Sequence, residues 1–244
     1  HSDHIGGVAA FAARHGTRVM ATRGTARGFR QGVPARLEYI SAHQPFELGP
    51  LAVTPVAVPH DAREPCQFVF GDGAARLAVV TDLGRVTPHV VQMLEGCDAL
   101  ALECNHDEGM LAAGPYPPQL KRRVGGNLGH LSNAQAAGLL QALLPARLKH
   151  VVALHLSEAN NRPELAQDAL AAVLGCGAGE IAVADQAELF ETPCVSTAAP
   201  WQAIIFPRGG AEDPFNWTYH FFWGLDEALN TFVGLWETID TNRK

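Results

Sequence analysis

A chain of 244 residues, 47% of them hydrophobic, is long enough for one large domain or two small ones and carries the apolar content of an ordinary globular core. No apolar run approaches the roughly 20 residues that a membrane-spanning helix needs. No signal-peptide pattern is present either, so the expectation is a cytoplasmic protein without a membrane partner. A net charge of −7 excludes attraction of nucleic acid by the surface as a whole.

The elements alternate along the chain. A helix is expected over 7–15, strands at 51–59, 66–70 and 76–81, a helix over 88–95 and a strand at 99–103. Helices over 116–123 and 132–143 follow, then a strand at 150–155, a helix over 163–174 and a last strand at 180–184. Short apolar strands interleaved with helices predict an α/β sheet covered by helices, with functional groups at strand ends. Composition shifts near residue 195, after which all four tryptophans fall. Residues 195–214, rich in Gly, Pro, Ala and Ser, read as a linker, and 215–244 as an aromatic and then helical segment. The domain division is therefore 1–194 and 195–244.

Five cysteines (Cys66, Cys97, Cys104, Cys176 and Cys194), odd in number and without a CxxC pair, indicate reduced thiols and neither a disulfide framework nor a zinc knot. A nucleic-acid partner of so acidic a chain needs bound metal and a local basic patch. Arg18, Arg23, Arg27, Arg30 and Arg36 could supply one, as could Lys121, Arg122 and Arg123; either run can equally be a solvated face.

The strongest local signal is His1-Ser2-Asp3-His4-Ile5-Gly6-Gly7, in which imidazoles and a carboxylate packed into four residues can serve two adjacent cations from one loop. Alone, it can equally be a polar stub. Three strand ends add metal-capable side chains: His60 after VAVP, Asp82 after LAVVT and 22 residues further on, and His155 after VVAL. A carboxylate buried at a strand end requires a cation or hydrogen-bond donors as partner. A single such histidine is usually structural, but three strand ends following an HxDH loop favour a metal centre.

This order, HxDHxGG, strand-end His, TDLG, strand-end His, resembles the metallo-β-lactamase superfamily, and its His-to-Asp gap is similar to that of the nucleic-acid and phosphodiester branches. The runs VPHDAREP, LALECNHDEGML, GPYPPQLKRRV, GNLGHLSNAQAAGLL and LHLSEANNRPELA are similar to the YycJ/WalJ-type group of cytosolic hydrolases, whose activity is nuclease-like. The resemblance extends over about residues 1–190 and implies an αββα sandwich. It further implies one metal held by His1 and His60, a second by Asp3, His4 and His155, and Asp82 bridging them. The family motif is HxHxDH, so the sandwich is expected to be incomplete at the N-terminus, with one early histidine missing from the first site. Two divalent cations (Zn or Mn) are implied in the intact family, and one in such a fragment.

The implied activity is hydrolysis of a nucleic acid or small phosphodiester by a metal-activated water, oriented by Asp3 and Asp82. His130, before an apparent helix start at Leu131-Ser132-Asn133, is the candidate proton donor to the leaving oxygen, or else a packing residue beside a cap. His106 could hold a ligand or contact substrate, or equally serve a structural hydrogen bond, and Ser157 and Asn160 could shape the pocket rim; both Asn160 and Asn161 are also ordinary turn formers. An impaired fragment binding one metal, and a thioester or lactone hydrolase on the same scaffold, remain alternatives. The tail FNWTYHFFWGLDEALNTFVGLWET is foreign to the family and resembles a segment of periplasmic substrate-binding proteins of branched-chain amino acid transporters. Nothing in the sequence sets the oligomeric state.

Overall fold

The computed structural model describes residues 1–30, 32–143 and 148–184, and the strands at 190–191, 202–207, 218–224 and 234–238. The chain divides into two units, Ser41–Val183 on one hand and His1–Ile40 with Ala184–Lys244 on the other.

Seven strands of the first unit form one sheet in the order of the chain: β3 (Phe46–Leu48), β4 (Leu51–Ala57), β5 (Cys66–Gly71), β6 (Arg76–Val80), β7 (Ala99–Glu103), β8 (His150–Leu154) and β9 (Ala182–Val183). The strands β3 to β6 pair antiparallel. Between β5 and β6 the chain reverses at Asp72-Gly73, where Asp72 Oδ1 accepts the N–H groups of Ala74 and Ala75 at 2.9 and 2.8 Å and Gly73 takes φ 91°. From β6 to β9 the pairing is parallel. Each parallel step needs a crossover, and the helices supply it. Helix α4 (Pro88–Leu94) joins β6 to β7, α5 (Glu108–Ala113), α6 (Pro118–Val124) and α7 (Asn133–Leu143) join β7 to β8, and α8 (Pro163–Leu174) leads toward β9.

Local chemistry sets the helix ends. Thr87 caps α4 through its side-chain oxygen, with Pro88 in the first turn. Ser132 and Gln135 form a reciprocal capping box at the start of α7, Ser132 Oγ accepting from Gln135 N at 3.2 Å and Gln135 Oε1 from Ser132 N at 2.9 Å. Helix α8 stops at Gly175, which adopts φ 68°. Ala136, Leu139, Leu140 and Leu143 bury one stripe of α7 at i, i+3, i+4 and i+7. Together with Val56, Val80, Leu100, Leu102, Leu131 and Leu170 they make the core between helices and sheet.

Parallel register then places three loop starts at one edge of the sheet. Val80 lies beside Leu102, Leu102 beside Ala153, and Glu103 beside Leu154. The residues that follow, Asp82 and His155, therefore emerge level with Glu103 at the carboxyl ends of β6, β8 and β7. Ligands of open α/β sheets bind at such ends.

In the second unit α1 (Ser2–Ile5) and α2 (Val8–His15) precede β1 (Val19–Thr22), α3 (Arg23–Ala26) and β2 (Leu37–Ile40), with β1 and β2 parallel. The HxDH segment is thus a short helix where a loop was expected. Its β10 (Phe190–Glu191), β11 (Gln202–Pro207), β12 (Thr218–Gly224) and β13 (Gly234–Thr238) form an antiparallel sheet. The expected linker therefore contains a strand at Gln202–Pro207, where Ile204, Ile205 and Phe206 favour extended backbone. Part of the expected helical tail is likewise a strand, Gly234–Thr238, while residues 225–233 and the proposed boundary at 194/195 lie outside the described residues. At 180–184 the expected strand is shortened to Ala182–Val183 by a 3-10 turn over Ala178–Glu180. Among the described residues no helix is long and apolar enough to cross a membrane.

Candidate metal centre

Asp82 and His155 follow apolar strands and turn away with positive φ, 49° and 60°; among the described residues only Glu64 joins them as a non-glycine in that region. Left-handed backbone at non-glycine residues is strained, and strain of this kind concentrates at functional sites. It swings both side chains over the sheet edge, where Asp82, Glu103, His130 and His155 present oxygen and nitrogen atoms that all lie within 4.8 Å of one another.

Glu103, which sequence reading passed over as a site residue, is the hub. It is fully buried. Its Oε1 accepts from His155 Nδ1 at 2.6 Å, His130 Nδ1 at 2.8 Å and Asp82 N at 3.2 Å. Oε2 accepts from Leu83 N at 3.0 Å and Leu131 N at 3.1 Å. Burial works to raise this carboxyl, yet the charges of His130 and His155 and their hydrogen bonds outweigh it and hold the group below the usual carboxylate range. Burial likewise works to lower His130, and the Glu103 carboxylate more than offsets it, so this imidazole is shifted upward. Both Glu103 oxygens are saturated, which makes it an orienting group and not a cation ligand.

A carboxylate only accepts, so His130 and His155 carry their hydrogens on Nδ1 and turn Nε2 away from Glu103. His60 is oriented by a different acceptor: its Nδ1 donates to the Gly129 carbonyl at 3.0 Å. Its Nε2 then lies 3.5 Å from Asp82 Oδ1 and 3.6 Å from Asp61 Oδ1. Two ligands on a tetrahedral zinc are about 3.3 Å apart at ordinary bond lengths. The His60–Asp82 pair fits that spacing, and the set of imidazoles and carboxylate suits zinc or manganese. Asp82 Oδ1 is also 3.4 Å from His130 Nδ1, and the His130 ring lies between those of His60 and His155, with centroids 5.3 and 5.4 Å away.

Asp61, another carboxylate not singled out from sequence, is held low by the hydrogen bond from Arg123, despite desolvation, and by that residue's charge. Arg123 Nε donates to Asp61 Oδ2 at 2.6 Å. Two glycines let the surrounding loops close: a Cβ at Gly84 would stand 2.5 Å from the Asn127 carbonyl oxygen, and one at Gly129 would collide with the Val124 carbonyl.

Of the remaining sequence candidates, His106 is buried, its carbonyl accepts from Asn133 N at 2.9 Å, and its Nδ1 has no partner among the described residues. Burial pushes its pKa down. Ser157 and Asn160 stitch the turn after His155: Asn160 is fully buried and donates from Nδ2 to Ser157 Oγ at 3.3 Å. Beside them Asn161 and Asn133 exchange side-chain amide bonds of 2.9 Å, and Asn161 also reaches the Cys104 carbonyl at 2.6 Å. His1, Asp3 and His4 belong to the other unit, and the Asp3 side chain lies outside the described residues.

A family model described as a β-lactamase superfamily domain matches residues 1–155. The exodeoxyribonuclease YycJ of Bacillus anthracis is 34% identical over 187 residues, covering 74% of this chain and 71% of that relative. Exodeoxyribonuclease WalJ of Streptococcus pneumoniae is 32% identical over 172 residues, covering 68% of this chain and 64% of its own length. Among solved structures, the metallo-β-lactamase fold protein YhfI from Bacillus subtilis superposes with a TM-score of 0.57 at 18% identity, covering 76% of this chain and 71% of that one. Zn²⁺-bound PqqB from Methylobacterium extorquens gives 0.51 at 22% identity, covering 71% and 64%.

Proposed function

Since the chain belongs to the metallo-β-lactamase superfamily and has its fold, we propose that it is a metal-dependent phosphodiesterase that acts on DNA as a nuclease. The observation that carries this reading is the donor set at one sheet edge, His60, Asp82 and His155, with both histidines oriented through Nδ1 by buried acceptors. His60 and His155 would hold cations through Nε2, and Asp82 through its carboxylate. Divalent cations, when bound there, supply Lewis acidity toward a phosphoryl oxygen and a water of lowered pKa.

The chain's own residues would do the rest. Glu103 fixes the tautomer and the direction of two imidazoles at once, which is the ordinary role of a carboxylate behind a metal-binding histidine. His130, between the His60 and His155 rings, would as the imidazolium give its Nε2 proton to the leaving oxygen of the phosphodiester and keep its Nδ1 hydrogen on Glu103. Asp82 would orient the attacking water. His106 and the Ser157–Asn160 turn would hold the loops that carry these groups.

A substrate panel tests the reading. Metal-loaded protein should hydrolyse a single-stranded oligodeoxynucleotide and a bis-aryl phosphodiester, and should leave thioesters and lactones intact. Turnover confined to a thioester or a lactone would replace the phosphodiesterase assignment.

A further inference from the structure

We propose that the C-terminal end of α6 and the loop after it form the rim along which a single DNA strand is led to the metal centre, with Arg122 holding a phosphate and Leu128 supporting a base or sugar. The inference rests on the nuclease reading and names how that substrate is held.

Three cations close α6, and a helix C-terminus favours cations whatever its function. Two of them are consumed by the protein itself: Lys121 Nζ donates to the Ala112 carbonyl at 2.6 Å, and Arg123 to Asp61. Arg122 stands between them, exposed, its side chain making no hydrogen bond or ion pair among the described residues. The other basic run is largely absorbed by local structure. Arg18 pairs with Glu38, Arg23 stacks on Tyr39 with 4.4 Å to the ring centroid, and Arg36 bonds the Gly16 carbonyl at 2.9 Å.

The position of Arg122 is set by the site. Arg123 ties the last turn of α6 to Asp61, the neighbour of His60. His130 N donates to the Val124 carbonyl at 2.8 Å, so the same turn also holds the backbone of His130. Between them the chain reverses tightly: Gly129 N donates to the Gly126 carbonyl at 2.9 Å, and a Cβ at Gly126 would lie 2.6 Å from the Arg122 carbonyl oxygen. Leu128 sits at this reversal. Its carbonyl accepts from Asp61 N at 3.0 Å, and its Cα lies 2.6 Å from where a Gly84 Cβ would stand. With its backbone so pinned, its side chain is 52% exposed, one of the few large apolar groups in water among the described residues. A cation at the end of α6 and an apolar group on the pinned loop after it, beside a phosphodiester site, match the two chemical faces of a single strand, its phosphates and its bases. With the chain's overall net charge of −7 opposing a polyanion, such a local contact is required.

The test is binding of a cleavage-resistant, phosphorothioate-linked single-stranded oligodeoxynucleotide by metal-loaded protein, measured by fluorescence anisotropy over a range of salt concentrations. Arg122→Glu should weaken binding on the order of tenfold at low salt and lower the slope of log K against log salt by about 0.7, the loss of one phosphate contact. Arg122→Lys should keep the slope. Leu128→Ala should weaken binding severalfold at unchanged slope, because no ion is released by an apolar contact. Wild-type binding that neither Arg122→Glu nor Leu128→Ala alters would overturn the rim while leaving the nuclease reading standing. A wild-type protein that neither binds the strand nor cuts its unmodified counterpart would overturn both.

Discussion

His155 and His130 donate from Nδ1 to one and the same oxygen of Glu103, at 2.6 and 2.8 Å. One buried carboxylate thus sets the direction of a proposed metal ligand and of a proposed proton donor, so the two cannot drift independently. Removing it with Glu103→Ala should strand two imidazoles and three backbone N–H groups and cost about 3–5 kcal/mol of stability. Glu103→Gln keeps the shape, loses the charge and should weaken metal binding by about 10–100-fold. Thermal melts and competitive metal titration measure the two effects. A Gln variant with wild-type metal affinity would remove Glu103 from the centre.

The proposed ligands are expected to respond differently. Asp82→Ala and His155→Ala should each reduce bound metal by more than the roughly 10–100-fold typical of outer partners, as read by elemental analysis after dialysis. Full occupancy in both would sink the ligand assignment.

His130→Ala should leave metal bound, with the phosphodiester rate falling by about 10²–10⁴ if its Nε2 donates the proton. An unchanged rate at saturating substrate would exclude it from the mechanism.

Gly84→Ala puts a methyl group against the Asn127 carbonyl, 2.5 Å away, and should cost about 1–3 kcal/mol by forcing the Asp82 loop off its neighbour. Metal affinity should fall with it. Circular dichroism melts that match wild type would show that the loops have room to part.

Burial raises the thiols of Cys97 and Cys104, and raises that of Cys66, with Glu64 adding to it, to about 11. At pH 8 about one Cys66 in a thousand is then a thiolate. Iodoacetamide should therefore leave all three largely unmodified in the native protein and alkylate them in urea, as mass spectrometry would show. Rapid native labelling of Cys104 would contradict its place in the core.

Much of the candidate centre is legible in the sequence because its residues sit where strand patterns stop. VAVP before His60, LAVVT before Asp82 and VVAL before His155 are buried strands with a polar residue next in line, and the register of β6, β7 and β8 brings two of those ends to one edge. Glu103 followed the same rule, closing the buried run ALAL, and was missed because its partners come from three other segments. Helix α5 was missed although Asp107 caps it, accepting from Met110 N at 2.8 Å, since Gly109 interrupts a six-residue helix. The short strands β1, β2 and β3 carry too few residues for an alternation to register. The capping box of Ser132 and Gln135, by contrast, marks the start of α7 to the residue.

The most direct test of the account is metal add-back to chelator-treated protein, with release of nucleotide from end-labelled single-stranded DNA as the readout. Hydrolysis should be absent after treatment, return with manganese or zinc, and not return in Asp82→Ala. Hydrolysis that persists without metal, or returns equally in Asp82→Ala, would contradict a metal-dependent nuclease built on this sheet edge.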